Sequence, residues 1–265
     1  MDMRTGKFTA AAACTLFAAS QATAALYTFE ATDEFTNNFS GFSDFSQSTT
    51  GGIADSGSVA LTSNSQIAVE QTAFDASAGS FSVSASFKYN GANSGGRGFF
   101  VGLTSDPGDT YGSSATSTGT DLRLAVTGSG SSDNYGLQLL NNGGAFATSS
   151  LNVPLVDGEY YELVLNIGTV AGGSFTGISG QLFDSGGNSL KFLNDSGSNY
   201  TEATVLTSDT EAYAYFGGQN PASRAASNAD NFNSPSTSGS VIPEPGSLGL
   251  LALGSLLIIR HKAQS

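Results

Sequence analysis

The sequence predicts an all-β protein, an antiparallel β-sandwich of jelly-roll type, and three observations predict it. Apolar residues recur at alternate positions in short runs, the signature of strands with one buried face, and hold no helical spacing over a useful length. Turn-forming residues, among them 34 Gly in 265 residues, interrupt these runs at short intervals. About a dozen such runs follow one another with no amphipathic helix between them and no repeat at a solenoid or propeller period.

Taken in order, the strands are expected at Leu26 to Glu30, Ser58 to Thr62 and Gln66 to Glu70, then at Ser80 to Lys88. That fourth run is the clearest: Phe81, Val83, Ala85 and Phe87 share one face and the serines the other. Gly98 to Thr104 follows, and then Leu122, Leu124 and Val126 alternate with Arg123 and Ala125. Tyr135 to Leu140 and Ala145 to Ser149 are separated by Asn141-Asn142-Gly143-Gly144, a hairpin turn sequence. In Tyr160 to Ile167, the residues Tyr161, Leu163, Leu165 and Ile167 are expected inward. Gly177 to Phe183 and Leu190 to Leu193 flank the turn Asp184 to Asn188, and Tyr213 alternates with Tyr215 against small residues. Two polar stretches, Ser105 to Gly119 and Asn220 to Ala229, are expected as long loops, where binding usually resides on a rigid sandwich.

The two ends differ in kind from this body. Arg4 and Lys7 precede the apolar run Phe8 to Ala19, and Ala22-Thr23-Ala24 supplies a small-residue cleavage site, so residues 1–24 read as a signal peptide cut after Ala24. The alternative of lipidation at Cys14 lacks the large aliphatic residue three positions earlier, where Ala11 stands. The sandwich domain is expected over residues 25–232, followed by a flexible linker over 233–241. Residues 242–265 then run Pro243-Glu244-Pro245, an apolar stretch Leu248 to Ile259, and the cations Arg260, His261 and Lys262. That stretch is shorter than the roughly 20 residues that cross a bilayer, and the basic end would stay on the cytoplasmic side.

Composition narrows the chemistry. The net charge is −13, and residues 25–240 hold 20 acids against 5 bases, which excludes nucleic acid as a partner. The only Cys, Cys14, and the only His, His261, lie in the end segments, and Trp is absent. The body therefore has no Ser-His-Asp or Cys-His nucleophile and no zinc ligands of the usual kind. A glycosidase needs only two carboxylates. Glu159 and Glu162 fall on opposite faces of one strand, however, and Asp209 and Glu211 share a face without a third acid.

The C-terminal order of Pro-Glu-Pro, short Leu/Gly-rich run and basic end resembles the PEP-CTERM sorting signal of Gram-negative bacteria that make extracellular polysaccharide. The resemblance implies an exosortase substrate, with Pro243, Glu244 and Pro245 as the recognition element, Leu248 to Ile259 as a transient inner-membrane anchor and Arg260 to Lys262 as its stop. The rival is a tail anchor that is never cut. The body, through Phe81 to Phe87, Val156 to Leu163, Gly180 to Asp184 and Asp230-Asn231-Phe232, resembles the concanavalin A-like or laminin-G-like sandwich. That second resemblance implies a structural calcium between an acid of the first strand and one near the last, here Glu30 and Asp230. Tyr111, Tyr135, Tyr160 and Tyr200 are the candidate sugar-stacking rings.

Together these readings lead to an expectation of an exported protein. It would pass the Sec translocon, signal peptidase and exosortase, and serve a non-catalytic structural or adhesive role at the outer surface or in the extracellular matrix with exopolysaccharide as partner. The alternatives are a calcium-assisted, lectin-like carbohydrate-binding module and a weak glycosidase.

Overall fold

The computed structural model describes residues 24–41, 44–76, 80–91, 95–108, 121–128, 135–141, 144–151, 154–171, 174–194 and 211–235. In chain order the strands are β1 (Ala25–Tyr27), β2 (Phe39–Ser40), β3 (Ser46–Ser48), β4 (Ser58–Ala60), β5 (Gln66–Glu70), β6 (Phe74–Asp75), β7 (Phe81–Tyr89), β8 (Gly96–Thr104) and β9 (Asp121–Gly128). There follow β10 (Tyr135–Asn141), β11 (Gly144–Ser150), β12 (Tyr160–Ile167), β13 (Thr169–Ala171), β14 (Ser174–Thr176), β15 (Ser179–Asp184), β16 (Ser189–Asn194), β17 (Glu211–Gly218) and β18 (Ala226–Ser234). Two short helices, α1 (Glu34–Asn38) and α2 (Pro221–Arg224), lie between strands.

These strands form two antiparallel sheets of eight strands each and one separate hairpin, so the fold is an all-β antiparallel sandwich. The first sheet runs β16-β15-β12-β7-β18-β4-β3, with β1 also paired to β18. The second runs β11-β10-β9-β8-β17-β5-β2, with β6 also paired to β17, and β13 pairs with β14 alone. Alternation decides the inner faces. Val83, Ala85 and Phe87 of β7, Leu163, Leu165 and Ile167 of β12, and Leu122, Leu124 and Val126 of β9 all sit in one core between the sheets. Rings close that core at one end, where Phe39 packs on Tyr27 (5.0 Å between centroids), Phe35 (5.3 Å), Phe216 (5.5 Å) and Phe232 (5.5 Å). Phe35 reaches this cluster because α1 presents it inward.

The outer face of the second sheet also buries side chains. Ile67, Val69, Phe100, Ala125, Leu140 and Tyr215 form a second apolar cluster there, and Arg123 lies fully buried with its guanidinium 5.1 Å from the Phe100 ring.

Several expectations need correction. The stretch Asn220 to Ala229 is not a long loop: α2 occupies its first half, and β18 begins at Ala226 and continues to Ser234, past the expected end of the domain at 232. The first strand stops at Tyr27 because Phe29 takes a left-handed backbone (φ 55°), which leaves Glu30 outside it. The expected loop Ser105 to Gly119 lies largely outside the described residues, as do Ala22, Tyr111, Tyr200, Pro243, Glu244, Pro245, Arg260, His261 and Lys262. Among the described residues no helix is long and apolar enough to cross a membrane.

Candidate functional site

The outer face of the first sheet carries a groove of about 340 Å3, and its position follows from a bulge in β18. Ala229 and Phe232 both face the core although three positions apart, and Asn231 makes this possible by adopting φ 47° where the register shifts. Asp230 is thereby placed opposite Ser86, on the outer side of the sheet, yet it is fully buried because residues 51–57 fold over it. Its Oδ2 accepts from the Ile53 N–H (2.7 Å) and the Ser56 hydroxyl (2.8 Å), and its Oδ1 accepts from the Asn231 N–H (2.6 Å). Burial, above all, pushes its carboxyl above the usual aspartate value, and the charge of Glu30 adds to this, while the three donors oppose it.

Calcium can be tested against this geometry. The structure brings Glu30 within electrostatic reach of Asp230, as the resemblance implies. Both lone pairs of Asp230 Oδ2 are engaged by N–H and O–H donors, though, and Glu30 itself is exposed. Among the described residues no group of three or more acids, His or Cys stands together as a metal cage. Each carboxylate oxygen of Asp230 already accepts from a protein donor, and Glu30 lies outside that hydrogen-bonded pocket.

Tyr160 lines the same groove, with Leu26, Ser84, Ser86, Glu162, Asp184, Asn231 and Asn233 around it. Its hydroxyl donates to the Gly51 carbonyl (2.7 Å), and the Lys88 ammonium stands 5.9 Å from its ring centre. Burial first, and then the charge of Asp230, push this phenol up to about 12. The Ser84 hydroxyl donates to Glu162 (2.9 Å). Asp184 closes the turn before β16, accepting from the Gly186 and Asn188 N–H groups and the Asn188 side-chain amide, which together hold its carboxyl below the ordinary value. Of the four candidate rings, Tyr160 lies on this groove and Tyr135 contributes to the lining of the larger groove on the second sheet. Tyr135 is 3% exposed, packs edge-on against Tyr89 (5.3 Å, 82°) and exchanges a hydrogen bond with its hydroxyl, so its faces are covered by protein. Ala24 is exposed directly ahead of β1.

Two features went unanticipated. Glu70 is fully buried between the sheets, accepting from the Tyr27 hydroxyl (2.5 Å) and from the Ser234 hydroxyl. It ties the first and last strands of one sheet to β5 of the other. A second, larger groove opens on the outer face of the second sheet, around Arg97 and Gln138. Neither was visible in the pattern, because both depend on which strands pair.

No family model and no curated protein matches the chain. Solved structures similar to it include a protein of unknown function from Shewanella oneidensis, with 15% identity and TM-score 0.46 over 84% of this chain and 91% of that one. Winged bean acidic lectin, solved with methyl-α-D-galactose, shares 10% identity at TM-score 0.48 over 80% of this chain and 97% of its own. The alginate lyase Aly36B shares 11% at TM-score 0.47, over 80% and 91%.

Proposed function

We propose that the chain is an exported, exosortase-sorted protein whose sandwich is displayed at the outer surface or in the extracellular matrix of a Gram-negative bacterium and associates there, without catalysis, with exopolysaccharide. One observation supports this reading: the first described strand begins at Ala25, the residue after the expected signal cleavage, and Ala25 pairs with Ser234, next to the expected linker. The two expected sorting segments would then join the sandwich at adjacent points, and removing either would leave every described strand pair intact.

Composition supports a non-catalytic role, since residues 25–240 contain no His, Cys or Trp. The test is fractionation of the producing cells before and after digestion of their exopolysaccharide. The protein should move from the matrix to the soluble fraction on digestion; retention in the inner membrane, unaffected by digestion, contradicts the reading.

A further inference from the structure

One wall of the groove on the first sheet is a strained segment held in place by the groove's own residues. Residues 51–57 fold over Asp230, and within them Ala54 (φ 55°) and Asp55 (φ 67°) hold a left-handed backbone that side-chain-bearing residues rarely adopt. Asn231, which lines the groove, does the same at φ 47°. Asp230 pins the segment by accepting from the Ile53 N–H and the Ser56 hydroxyl, and Tyr160 pins it by donating to the Gly51 carbonyl. Gly52 permits the approach, since a Cβ there would stand 2.4 Å from Asp230 Oδ2. Backbone strain that is over-determined in this way collects at functional sites. Its product here is a fixed wall that offers Ile53 and the Tyr160 ring to the groove.

The sheet itself offers polar groups that the fold does not use. Glu162 Oε1 accepts from the Ser84 hydroxyl at 2.9 Å, and no described residue donates to Glu162 Oε2. The side-chain amides of Asn231 and Asn233 line the groove and make no hydrogen bond with a described residue. Strand pairing brings these groups together: Glu162 and Asp230 both stand opposite Ser86, and Asn233 stands opposite Ser84. Asp184, at the end of β15, adds a second carboxylate, kept in its charged form by the Asn188 amide. Lys88 stands over the Tyr160 ring and makes no ion pair with a described residue.

We infer that this groove binds a neutral, hydroxyl-rich glycan built of hexose units, with sugar hydroxyls donating to Glu162 Oε2 and meeting the amides of Asn231 and Asn233, and the apolar side of a sugar ring lying along Ile53 and Tyr160. Carboxylates accept and amides both donate and accept, which matches the mixed capacity of a polyol. A pyranose packs its C–H face on aromatic and aliphatic walls without carrying a charge. The same carboxylates repel a uronate or a sulfated sugar, so charge selects the class. A volume of about 340 Å3 stands at the lower end of the ~300–1,000 Å3 of small-molecule sites and suits a short segment of a chain. The inference rests on the reading of the body as a polysaccharide-associated module, and it names the site and the class of sugar.

The experiment is calorimetric titration of the full chain, recovered from its producing cells in mild detergent. The probes are cellotetraose, mannotetraose and galactotetraose, with tetragalacturonate as the acidic comparison. At least one neutral tetraose should bind saturably, and tetragalacturonate at least about tenfold more weakly. Glu162→Gln and Asn233→Ala should each weaken that binding by about fivefold or more, as loss of a hydrogen bond to the ligand does. Asn233 is half-buried and its side chain makes no hydrogen bond within the described fold, so Asn233→Ala carries the test even if Glu162→Gln, which alters the Ser84 contact, fails to fold. Thr148→Ala, at an exposed position of β11 in the other sheet, should change nothing. No binding of any neutral tetraose, a preference for tetragalacturonate, or binding indifferent to the groove substitutions would overturn the site. A chain that co-fractionates with exopolysaccharide but gives one of those results loses this inference and keeps the proposed function. One that binds a neutral tetraose through Glu162 and Asn233 but stays in the inner membrane does the reverse.

Discussion

Ala25 and Ser234 stand opposite one another in the antiparallel pair of β1 and β18, so the first strand of the sandwich is fastened to the last. The same two strands are held from across the core by Glu70, through the hydroxyls of Tyr27 and Ser234. The first and last described strands are therefore tied to one another and, across the core, to β5.

Removing one of those ties should be costly. Tyr27→Phe deletes a donor to a fully buried carboxylate and should lower stability by about 1–3 kcal/mol. Chemical denaturation of the variant beside the parent reads this as an earlier midpoint at unchanged slope. A midpoint that does not move would show that the hydroxyl contributes nothing there.

Two glycines should respond differently to alanine. A Cβ on Gly57 would lie 1.9 Å from the Phe29 carbonyl oxygen, so Gly57→Ala must displace backbone and should cost about 1–3 kcal/mol or more. Gly158 has φ +84° and nothing within 4 Å, so Gly158→Ala meets only the conformational penalty of about 1 kcal/mol. Melting temperatures of the pair give the order, and a Gly158→Ala loss equal to or larger than that of Gly57→Ala would contradict the packing described around residues 51–57.

Asp184 and Asp230 should titrate on opposite sides of the ordinary value of 3.8. Asp230, raised chiefly by burial, favours the folded state most below pH 3.8, and that contribution declines as pH climbs to its folded-state value, since the unfolded chain gives up the proton first. Asp184, lowered chiefly by the Asn188 side chain, contributes above 3.8 and loses its contribution as pH falls through its depressed folded-state value. Carboxyl carbon shifts followed by NMR across acid pH distinguish them. Coincident titrations, or the reverse order, would refute the burial of Asp230 beneath residues 51–57.

Tyr160 gives an optical signature. Its phenol should ionise near 12, later than an ordinary tyrosine at about 10, and Tyr160→Phe should remove that late component from the ultraviolet titration. A titration unchanged by the substitution would mean that Tyr160 is not held against Gly51 and Asp230.

The architecture was most legible where one face alone is buried. Tyr161, Leu163, Leu165 and Ile167 point inward as their alternation demands, and so do Val83, Ala85 and Phe87. It was least legible where tertiary pairing overrides local pattern. β18 reads as loop because its outer positions are Ser227, Asn228, Asn231 and Asn233, yet it lies between β7 and β4 inside a sheet. Alternation was equally silent on Arg123 and Ala125, expected outward and found buried beneath a second apolar cluster, since a strand covered on both faces loses its period-two contrast. As for sites, Tyr160 could be named from type and spacing, but Arg97, Gln138 and Gln219 come from three different strands or their connections. The pairing of β8 with β9 and β17, and of β9 with β10, brings them together.

The central claim is that this sandwich is exported and released from its sorting segments at both ends. It is tested most directly by intact mass and terminal sequencing of the protein from the medium and envelope of its producing cells. The account predicts an N-terminus at Ala25, where β1 begins, and a C-terminus close to Pro243-Glu244-Pro245. A membrane-bound form that retains Leu248 to Lys262 would contradict it and make the chain a permanently tail-anchored protein.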